Sequence, residues 1–314
     1  MYIRNESERM DNEKLKKYYK DNHEKKIFHT KLFSKNSSAH IMFIYEYEKE
    51  IENFCSTFLC YLPYYVRSSD QLSTISDNDI ESDLISRSKI IRISDSVPQR
   101  KIEVDGLYGE LFLDFYLRIV CNRKCLIAYG MKKAFSVAKN EEARGYDNVV
   151  YYLDNGKINI CFCEAKFVSG ASIAKNKLIE DIKGAKNKNN SHISKEFLND
   201  YICFILEQNP MIDESDKSIL SSFFNELNTE LDKTNDFVSV LIRLNICCNF
   251  IFFAIFDSTK KEPEKLIEYY NEIFNEVTIN IKNIGIINYK IEIVFIPTDS
   301  KPLEIKGEIQ KNYG

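Results

Sequence analysis

The sequence has no excess of positive charge, no apolar run long enough to cross a membrane and no cysteine pair at C-x-x-C spacing. Its formal net charge is −4 over 314 residues, so any nucleic-acid surface must occupy a limited part of the chain. The apolar run at 248–256 is far shorter than the roughly 20 residues that span a bilayer. Residues 1–38 lack the apolar segment of a secretory signal. These absences predict a cytoplasmic protein with no membrane segment.

Cysteine is plentiful, but its arrangement does not indicate a disulfide framework. The nine cysteines are an odd number and lie mostly within apolar runs, which favours free, buried thiols in a reducing compartment. Cys161 and Cys163 precede Glu164 in the sequence, by three positions and by one. Alternation along a strand turns both away from Glu164, so they are not expected to bind a metal.

Composition divides the chain into three parts. Residues 1–38 form a charged N-terminal arm, residues 39–100 form a small α/β portion with a linker, and residues 101–314 form the main domain. The main domain contains a helical insertion at about 190–235. In the second part the sequence predicts a strand, a helix and a long polar loop, at 39–45, 48–62 and 68–98.

A β-hairpin is predicted near the middle of the main domain. Residues 148–153 and 157–167 have the composition of two strands, and Asn155 and Gly156 lie in the turn between them. Asn-Gly is typical of a type I′ turn, because both central residues of that turn need positive φ angles. The turn therefore fixes the pairing of the two strands.

The register of this hairpin brings two acidic residues together. A two-residue loop pairs Asp154 with Lys157, and the same register places Asp147 opposite Glu164. Directly opposed residues hold their Cβ atoms roughly 5 Å apart, and like charges at that distance destabilise a sheet. The pair is therefore expected to hold a positive group between its carboxylates.

A lysine and a backbone carbonyl complete this set of groups. Period-two alternation places Lys166 on the same face as Glu164, and Ala165 lies between them. Carboxylate and carbonyl oxygens are suited to Mg²⁺ or Mn²⁺. A neighbouring lysine can orient or help to deprotonate a metal-bound water, or neutralise charge on a phosphate. These residue types predict hydrolysis of a phosphodiester.

The string D-(x)n-E-x-K, formed here by Asp147, Glu164 and Lys166, resembles the signature of the PD-(D/E)xK nucleases. The proline that usually precedes the Asp is replaced by Tyr146. The resemblance implies a restriction-endonuclease-like fold in which these three residues are catalytic.

Glu110 is the candidate for a further acid. The run that follows Gly109 resembles the first helix of the PD-(D/E)xK fold, whose acid often completes the metal site. The resemblance therefore implies that Glu110 is a third carboxylate ligand. The residues alone leave an alternative, because Glu110, Asp114 and Arg118 have the spacing of a solvated helical stripe with an Asp114–Arg118 pair.

The predicted elements follow the order of that core. They are a helix capped by Asp105, a strand at 125–138, the hairpin, a helix at 172–188 and a fourth strand at 248–256. Two helices at 194–233 form the insertion, which either packs on the core or docks another protein. A helix from Glu264 and a strand at 289–295 close the domain. The predicted fold class is α/β, with an α+β mixed sheet.

Five short motifs are similar to those of the DUF1837 family, which is the HamA family of the Hachiman antiphage defence system and is related to AbpA. They are LPYYV (62–66), GELFLDFYLR (109–118), RGYDNV (144–149), CEAKF (163–167) and VFIPTD (294–299). The resemblance implies a nuclease that works with a superfamily 2 helicase, HamB. It also implies that Glu110, Asp147, Glu164 and Lys166 occupy the family's site positions.

The predicted activity is therefore that of a Mg²⁺-dependent endodeoxyribonuclease with little sequence specificity. Its phosphate contacts carry no base specificity and come from basic residues near the site. The candidates are Arg144, Lys132, Lys133, Lys175 and Lys177. A weakly charged chain of this kind is expected to depend on its partner for access to DNA.

Two other functions remain open from the sequence. One is a sequence-specific restriction endonuclease, which would cut at discrete positions without a helicase. The other is a non-catalytic adaptor that uses a nuclease fold to bind a helicase. The sequence also leaves open whether the substrate is DNA or RNA.

Overall fold

The structure is built round one mixed β-sheet. It is a computed structural model, and it describes residues 28–34, 37–43, 109–110, 112–121, 123–125, 146–154, 157–184, 191–198, 217–234, 236–257 and 263–298. The predicted helix at 48–62, the loop at 68–98 and the Asp105 cap lie outside these residues. Among the residues described, no helix is long and apolar enough to cross a membrane.

Seven strands form the sheet in the described part of the chain. They are β1 (Phe28–Ser34), β2 (Ser37–Phe43), β3 (Lys124–Cys125), β4 (Asn148–Asp154), β5 (Lys157–Val168), β6 (Cys247–Asp257) and β7 (Tyr289–Thr298). Their order across the sheet is β1-β2-β7-β6-β5-β4-β3. Strands β2, β7, β6 and β5 pair in parallel, whereas β1 with β2, β4 with β5, and β3 with β4 pair antiparallel.

Helices cover both faces of the sheet. Residues 109–110 and 112–115 are helical and continue into a π-helical turn, Tyr116–Val120, and we call this segment α1. The other helices are α2 (Ala171–Lys183), α3 (Lys217–Thr234), α4 (Phe237–Arg243) and α5 (Pro263–Ile284). The predicted fold class, α/β with a mixed sheet, is confirmed.

Alternation along β5 defines the two faces of the sheet. The site face carries Phe162, Glu164 and Lys166, and its apolar residues form one buried core with those of α2 to α5. The α1 face carries Cys161 and Phe167, and α1 packs there through its aromatic rings. Phe112 stacks on Phe167 with ring centroids 6.1 Å apart, and Tyr116 lies 5.6 Å from Phe253.

The hairpin has the predicted register. Asp154 pairs with Lys157 and Asn148 with Cys163, as a two-residue loop at Asn155 and Gly156 requires. The two loop residues themselves lie outside the described part of the chain. Because the register holds along the whole of β4, the start of that strand lies beside the centre of β5.

The central strand β6 is also as predicted. The expected strand at 248–256 is observed as Cys247–Asp257, and every residue between its two ends is buried. A strand paired on both sides and covered on both faces needs apolar residues throughout, which is why no alternation is visible in this run. The closing helix and strand are likewise present as α5 and β7, the strand extending to Thr298.

Several element limits differ from the prediction. Residues 28–34 form strand β1, although the sequence predicts a charged arm there, and the strand predicted at 39–45 is observed as Ser37–Phe43. The helix predicted at 172–188 ends at Lys183, because Gly184 adopts a positive φ of 78°. Of the strand predicted at 125–138, the structure describes only Lys124–Cys125.

The predicted helical insertion is described in two pieces. Residues 195–198 are helical and α3 follows at Lys217–Thr234, while residues between them lie outside the described part. Leu220, Phe224 and Leu227 of α3 are buried in the core of the site face. Packing on the core, one of the two roles predicted for the insertion, is observed for α3, and docking of another protein stays a prediction.

Replacing Asp236 by Ala is expected to lower the free energy of unfolding by about 1 kcal/mol. Asp236 caps α4, and its carboxylate accepts hydrogen bonds from the backbone N–H groups of Val238 (3.1 Å) and Ser239 (3.4 Å). Urea unfolding monitored by circular dichroism measures the change. Asp236→Asn keeps a capping oxygen and should recover most of the loss, and Asp232→Ala on α3 is the matched control.

Candidate active site

Asp147, the first acidic residue of the candidate site, lies beside the edge of β5. Asp147 immediately precedes β4, and its Oδ2 accepts a hydrogen bond of 2.7 Å from the backbone N–H of Ala165. This contact extends the hairpin by one side chain beyond the last backbone pair, between Asn148 and Cys163. In a strand the N–H and C=O of one residue point to the same side, so the Ala165 carbonyl also lies at this edge.

Glu164 and Lys166 form an ion pair beside Asp147. The Lys166 Nζ lies 2.9 Å from Glu164 Oε1 and 2.7 Å from Asp181 Oδ2 of α2. Glu164 is 4% exposed, so this pair is shielded from solvent. The structure thus brings together Asp147, Glu164 and Lys166, the three residues that the D-(x)n-E-x-K string predicts to be catalytic.

The charges of this cluster are mutually stabilised. Burial disfavours the ionised form of Glu164, but Lys166 and His192 outweigh it and lower the pKa of Glu164 to about 2. Burial also disfavours the ammonium of Lys166, and the carboxylates of Glu164, Asp147 and Asp181 raise its pKa above the ordinary value. At neutral pH the pair is therefore carboxylate and ammonium.

Asp181 belongs to this cluster although the sequence did not single it out. Burial, and then the neighbouring charge of Glu164, raise the pKa of Asp181, while Lys166 acts in the opposite direction. Asp181 follows Leu178 by three residues on α2, whose buried residues include Leu178 and Ile182. A polar residue at that spacing is the signal by which the sequence could have revealed it.

His192 is a second residue that the sequence did not reveal. Its Nδ1 lies 3.1 Å from Glu164 Oε2, the oxygen that Lys166 does not contact. Its backbone N–H donates to the Asp181 carbonyl at 3.0 Å, which ties the turn carrying it to α2. Burial lowers the pKa of His192, but Glu164 outweighs it and the pKa is raised. His192 has no motif spacing to the other site residues along the chain.

The start of α1 approaches the same edge of β5. A Cβ atom added at Gly109 would lie 3.4 Å from the Phe167 backbone N and 3.5 Å from the Ala165 Cβ. Gly109 therefore lets the helix come close to the strand at residues 165–167. Glu110 follows at this point and is half-buried. The body of α1 packs on the opposite face of the sheet from Glu164, through Phe112 on Phe167 and Tyr116 on Phe253.

The solvated stripe considered for α1 is not observed at Asp114. Arg118 does pair with Asp114, with 3.1 Å between Nη2 and Oδ2, but Asp114 is 1% exposed. Asn148 donates a second hydrogen bond, of 2.6 Å, to Asp114 Oδ1. Because Asn148 is the residue after Asp147, this bond joins α1 to the strand that carries the candidate acid.

A separate polar cluster lies on the α1 face, between β3 and β7. Arg123 Nη2 lies 2.7 Å from Glu292 Oε2, and the Tyr116 hydroxyl donates to Glu292 Oε1 at 3.0 Å. Arg123 Nη1 also donates to Cys161 Sγ at 3.0 Å. Burial raises the pKa of Cys161 to about 12, so its thiol is protonated at neutral pH and is a poor metal ligand. Cys161 faces away from Glu164, as predicted.

Five cysteines whose side chains the structure describes are free thiols. They are Cys121, Cys161, Cys163, Cys247 and Cys248. Those within β5 and β6 are mostly buried in the sheet, which agrees with the predicted structural role for thiols in apolar runs.

Only two of the basic residues predicted to contact phosphate lie within the described residues. Lys177 is exposed on α2. Lys175 is held between α2 and α5, with its Nζ 2.7 Å from Glu272 Oε2 and 5.2 Å from the ring centre of Tyr269. The ammonium of Lys175 is thus engaged within the protein. Arg144, Lys132 and Lys133 lie outside the described residues.

The chemical type of the groups at the site suits a hard divalent cation. Glu164, Asp147 and Asp181 supply carboxylate oxygens, the ligands that Mg²⁺ and Mn²⁺ prefer. Each oxygen of an ionised carboxylate has two acceptor positions, so the bonds of Glu164 to Lys166 and His192 leave capacity for a cation. Among the described residues, no three His, Cys, Asp or Glu side chains already converge as a metal site.

Comparison with known families decides the identity of the chain. The family model of HamA matches residues 16–311. The chain belongs to the HamA family. HamA membership makes it a component of Hachiman antiphage defence, and it confirms the resemblance seen in the five sequence motifs. No curated protein matches the chain at a significant level. The match to HamA spans both Asp147 and the Glu164-Ala165-Lys166 segment, so the acid and lysine cluster lies within the HamA-like part of the chain.

Proposed function

We propose that this HamA-family chain is a Mg²⁺-dependent endodeoxyribonuclease that hydrolyses phosphodiester bonds of DNA with little sequence specificity. The observation that carries the proposal is the cluster at the edge of β5, where Asp147 accepts from Ala165 and Lys166 pairs with Glu164. Two carboxylates and an ammonium at one point match the needs of phosphoryl transfer, which are cation binding and neutralisation of developing charge. Mn²⁺ would serve in place of Mg²⁺.

The proposed metal ligands are Asp147, Glu164, the carbonyl of Ala165 and Glu110. The cation, when bound, supplies Lewis acidity and lowers the pKa of a water ligand. Glu164 is ionised at neutral pH because Lys166 and His192 lower its pKa to about 2, so it can bind a cation without losing a proton. Asp147 is fixed by Ala165, so its carboxylate keeps one orientation.

Lys166 is proposed to act through its positive charge. The carboxylates of Glu164, Asp147 and Asp181 raise its pKa above the ordinary value, so the side chain is an ammonium at neutral pH. It can donate hydrogen bonds to a nucleophilic water and to a phosphate oxygen, and so hold both in place. Orientation of the water and neutralisation of phosphate charge are therefore the roles proposed for Lys166.

Binding of DNA is proposed to depend on a partner. The formal net charge of −4 gives the chain no general attraction for phosphate. Arg144, Lys132, Lys133 and the exposed Lys177 are the proposed local phosphate contacts. Lys175 is left out because Glu272 and Tyr269 hold its ammonium. A superfamily 2 helicase of the HamB kind would bring DNA to the site and control when it is cut.

DNA cleavage by the purified chain together with its helicase tests this function. With Mg²⁺ present, closed circular DNA should be nicked, linearised and then degraded without discrete fragments, and EDTA should abolish the reaction. Discrete fragments formed without the helicase would favour a restriction endonuclease instead. Intact DNA at millimolar Mg²⁺, with helicase activity demonstrated, would contradict the proposal and favour an adaptor role.

A further inference from the structure

We infer that His192 is a positioning residue, which orients the Glu164 carboxylate for the metal. This inference rests on the proposed function, because it concerns the same carboxylate. It starts from the contact between His192 Nδ1 and Glu164 Oε2, at 3.1 Å. Lys166 contacts the other oxygen, Oε1, at 2.9 Å. The two residues together therefore fix the rotation of the carboxylate about its own axis.

The direction of the hydrogen bond follows from the charge of Glu164. An ionised carboxylate can only accept hydrogen bonds, so the proton of this contact must be on His192 Nδ1. Carboxylates that ligate metals in proteins are themselves held by hydrogen bonds from an outer layer of residues, and loss of such an outer contact weakens metal binding.

The ring of His192 is itself held in place by aromatic neighbours. It stacks on Phe197, with centroids 4.6 Å apart and planes 15° from parallel. Tyr146 meets the ring edge-on at 5.9 Å, and the Tyr146 hydroxyl donates to the backbone carbonyl of His192. The backbone N–H of His192 donates to the Asp181 carbonyl at 3.0 Å. The ring thus has little freedom to turn away from Glu164.

Tyr146 connects the contacts around His192 to Asp147. It directly precedes Asp147 and stands where the PD-(D/E)xK signature usually has proline. Tyr146 is buried, and its ring packs on Phe162 and Phe197 as well as on His192. One residue therefore anchors the start of β4 and the turn that carries His192. The two candidate metal ligands, Asp147 and Glu164, are positioned by a shared set of contacts.

Packing alone does not explain a histidine at this position. Phenylalanine would satisfy both the stacking on Phe197 and the edge contact with Tyr146. The feature that only histidine provides is the nitrogen directed at Glu164. Two substitutions separate these roles, because His192→Phe keeps a ring and loses the donor, whereas His192→Asn loses the ring and keeps a donor close to the place of Nδ1.

Binding of Mn²⁺ to the full-length chain, followed by electron paramagnetic resonance, tests the inference without DNA or helicase. We expect His192→Phe to weaken Mn²⁺ binding about 10- to 100-fold and His192→Asn to stay within a few-fold of the wild-type chain. Thermal unfolding should show the opposite order, with the Asn variant the less stable. Tyr146→Phe, which removes only the hydroxyl, should weaken Mn²⁺ binding less than His192→Phe does.

The outcomes distinguish this inference from the proposed function. If the wild-type chain binds no Mn²⁺ at millimolar concentration, the metal-dependent function itself is contradicted. If the wild-type chain binds Mn²⁺ and His192→Phe binds it equally well, the positioning role is overturned while the function stands. Equal weakening in the Phe and Asn variants would also overturn the role, since it would assign the effect to the ring and not to its nitrogen.

Discussion

Lys166→Met is expected to slow DNA cleavage by the chain and its helicase about 100- to 1000-fold, which is the usual effect of removing one group that stabilises transition-state charge. Methionine keeps most of the length and apolar volume of the lysine stem. It removes the ammonium that lies 2.9 Å from Glu164 and 2.7 Å from Asp181. The measurement is the initial rate of nicking of circular DNA at saturating Mg²⁺.

Asp147→Asn should cause a loss of the same order by a different route. The amide has the shape of the carboxylate and can still accept a hydrogen bond from the Ala165 N–H, but it has no charge to attract a divalent cation.

Lys282→Met is the matched control for Lys166→Met. Lys282 is exposed in the last turn of α5, so its substitution should leave the cleavage rate unchanged. Circular dichroism melts establish that each variant is folded. Wild-type rates in a folded Lys166→Met or Asp147→Asn chain would contradict the assignment of the site.

Arg123→Met is expected to give the largest loss of stability, about 3–5 kcal/mol, because it breaks a buried ion pair and leaves a carboxylate without its cation. Arg123 and Glu292 are 13% and 6% exposed in their side chains and lie 2.7 Å apart. Arg123 directly precedes β3, and Glu292 lies in β7. Their contact therefore links two strands that are separated in the sheet by β4, β5 and β6. Urea unfolding gives the free energy change.

A double substitution shows whether this loss comes from the unpaired charge. Arg123→Met combined with Glu292→Gln removes both charges and should be more stable than Arg123→Met alone. Arg243→Met is the control, since Arg243 pairs with Glu230 at the surface and exposed pairs contribute little. If Arg123→Met and Arg243→Met have equal effects, the buried pair does not hold β3 and β7 together.

The hairpin of the candidate site could be predicted from the sequence because its determinants are local. The Asn-Gly turn sets the register within two residues, and that register then fixes which side chains share a face. Glu164 and Lys166 follow from period-two alternation alone. For the same reason the buried strand β6 was visible as one continuous apolar run.

Asp181 and His192 could not be predicted in the same way, because their contacts depend on how α2 folds back on the sheet. His192 lies 28 positions from Glu164 and 46 from Tyr146 along the chain, with no spacing rule that links them. Its location is set by two hydrogen bonds near the end of α2, from His192 N to the Asp181 carbonyl and from Ser191 to the Ile182 carbonyl. Such contacts follow from packing and not from a motif.

The predictions for β1 and for the end of α2 were wrong because they relied on the charge and lysine content of longer segments. Strand β1 contains the apolar residues Phe28, Leu32 and Phe33, but the many charged residues over 1–38 as a whole indicated an arm. For α2 the lysine-rich tail suggested helix to residue 188, whereas the helix ends at Lys183 and Gly184 follows with a positive φ. A glycine after the last apolar position of a helix was the available signal.

Anomalous diffraction from crystals of the full chain soaked in Mn²⁺ is the most direct test of the site. We expect a manganese peak within bonding distance, about 2.0–2.3 Å, of oxygens of both Asp147 and Glu164, with the Lys166 ammonium nearby. A well-occupied peak elsewhere, or well-ordered Asp147 and Glu164 side chains on opposite faces of the sheet with no manganese between them, would contradict the proposed metal site.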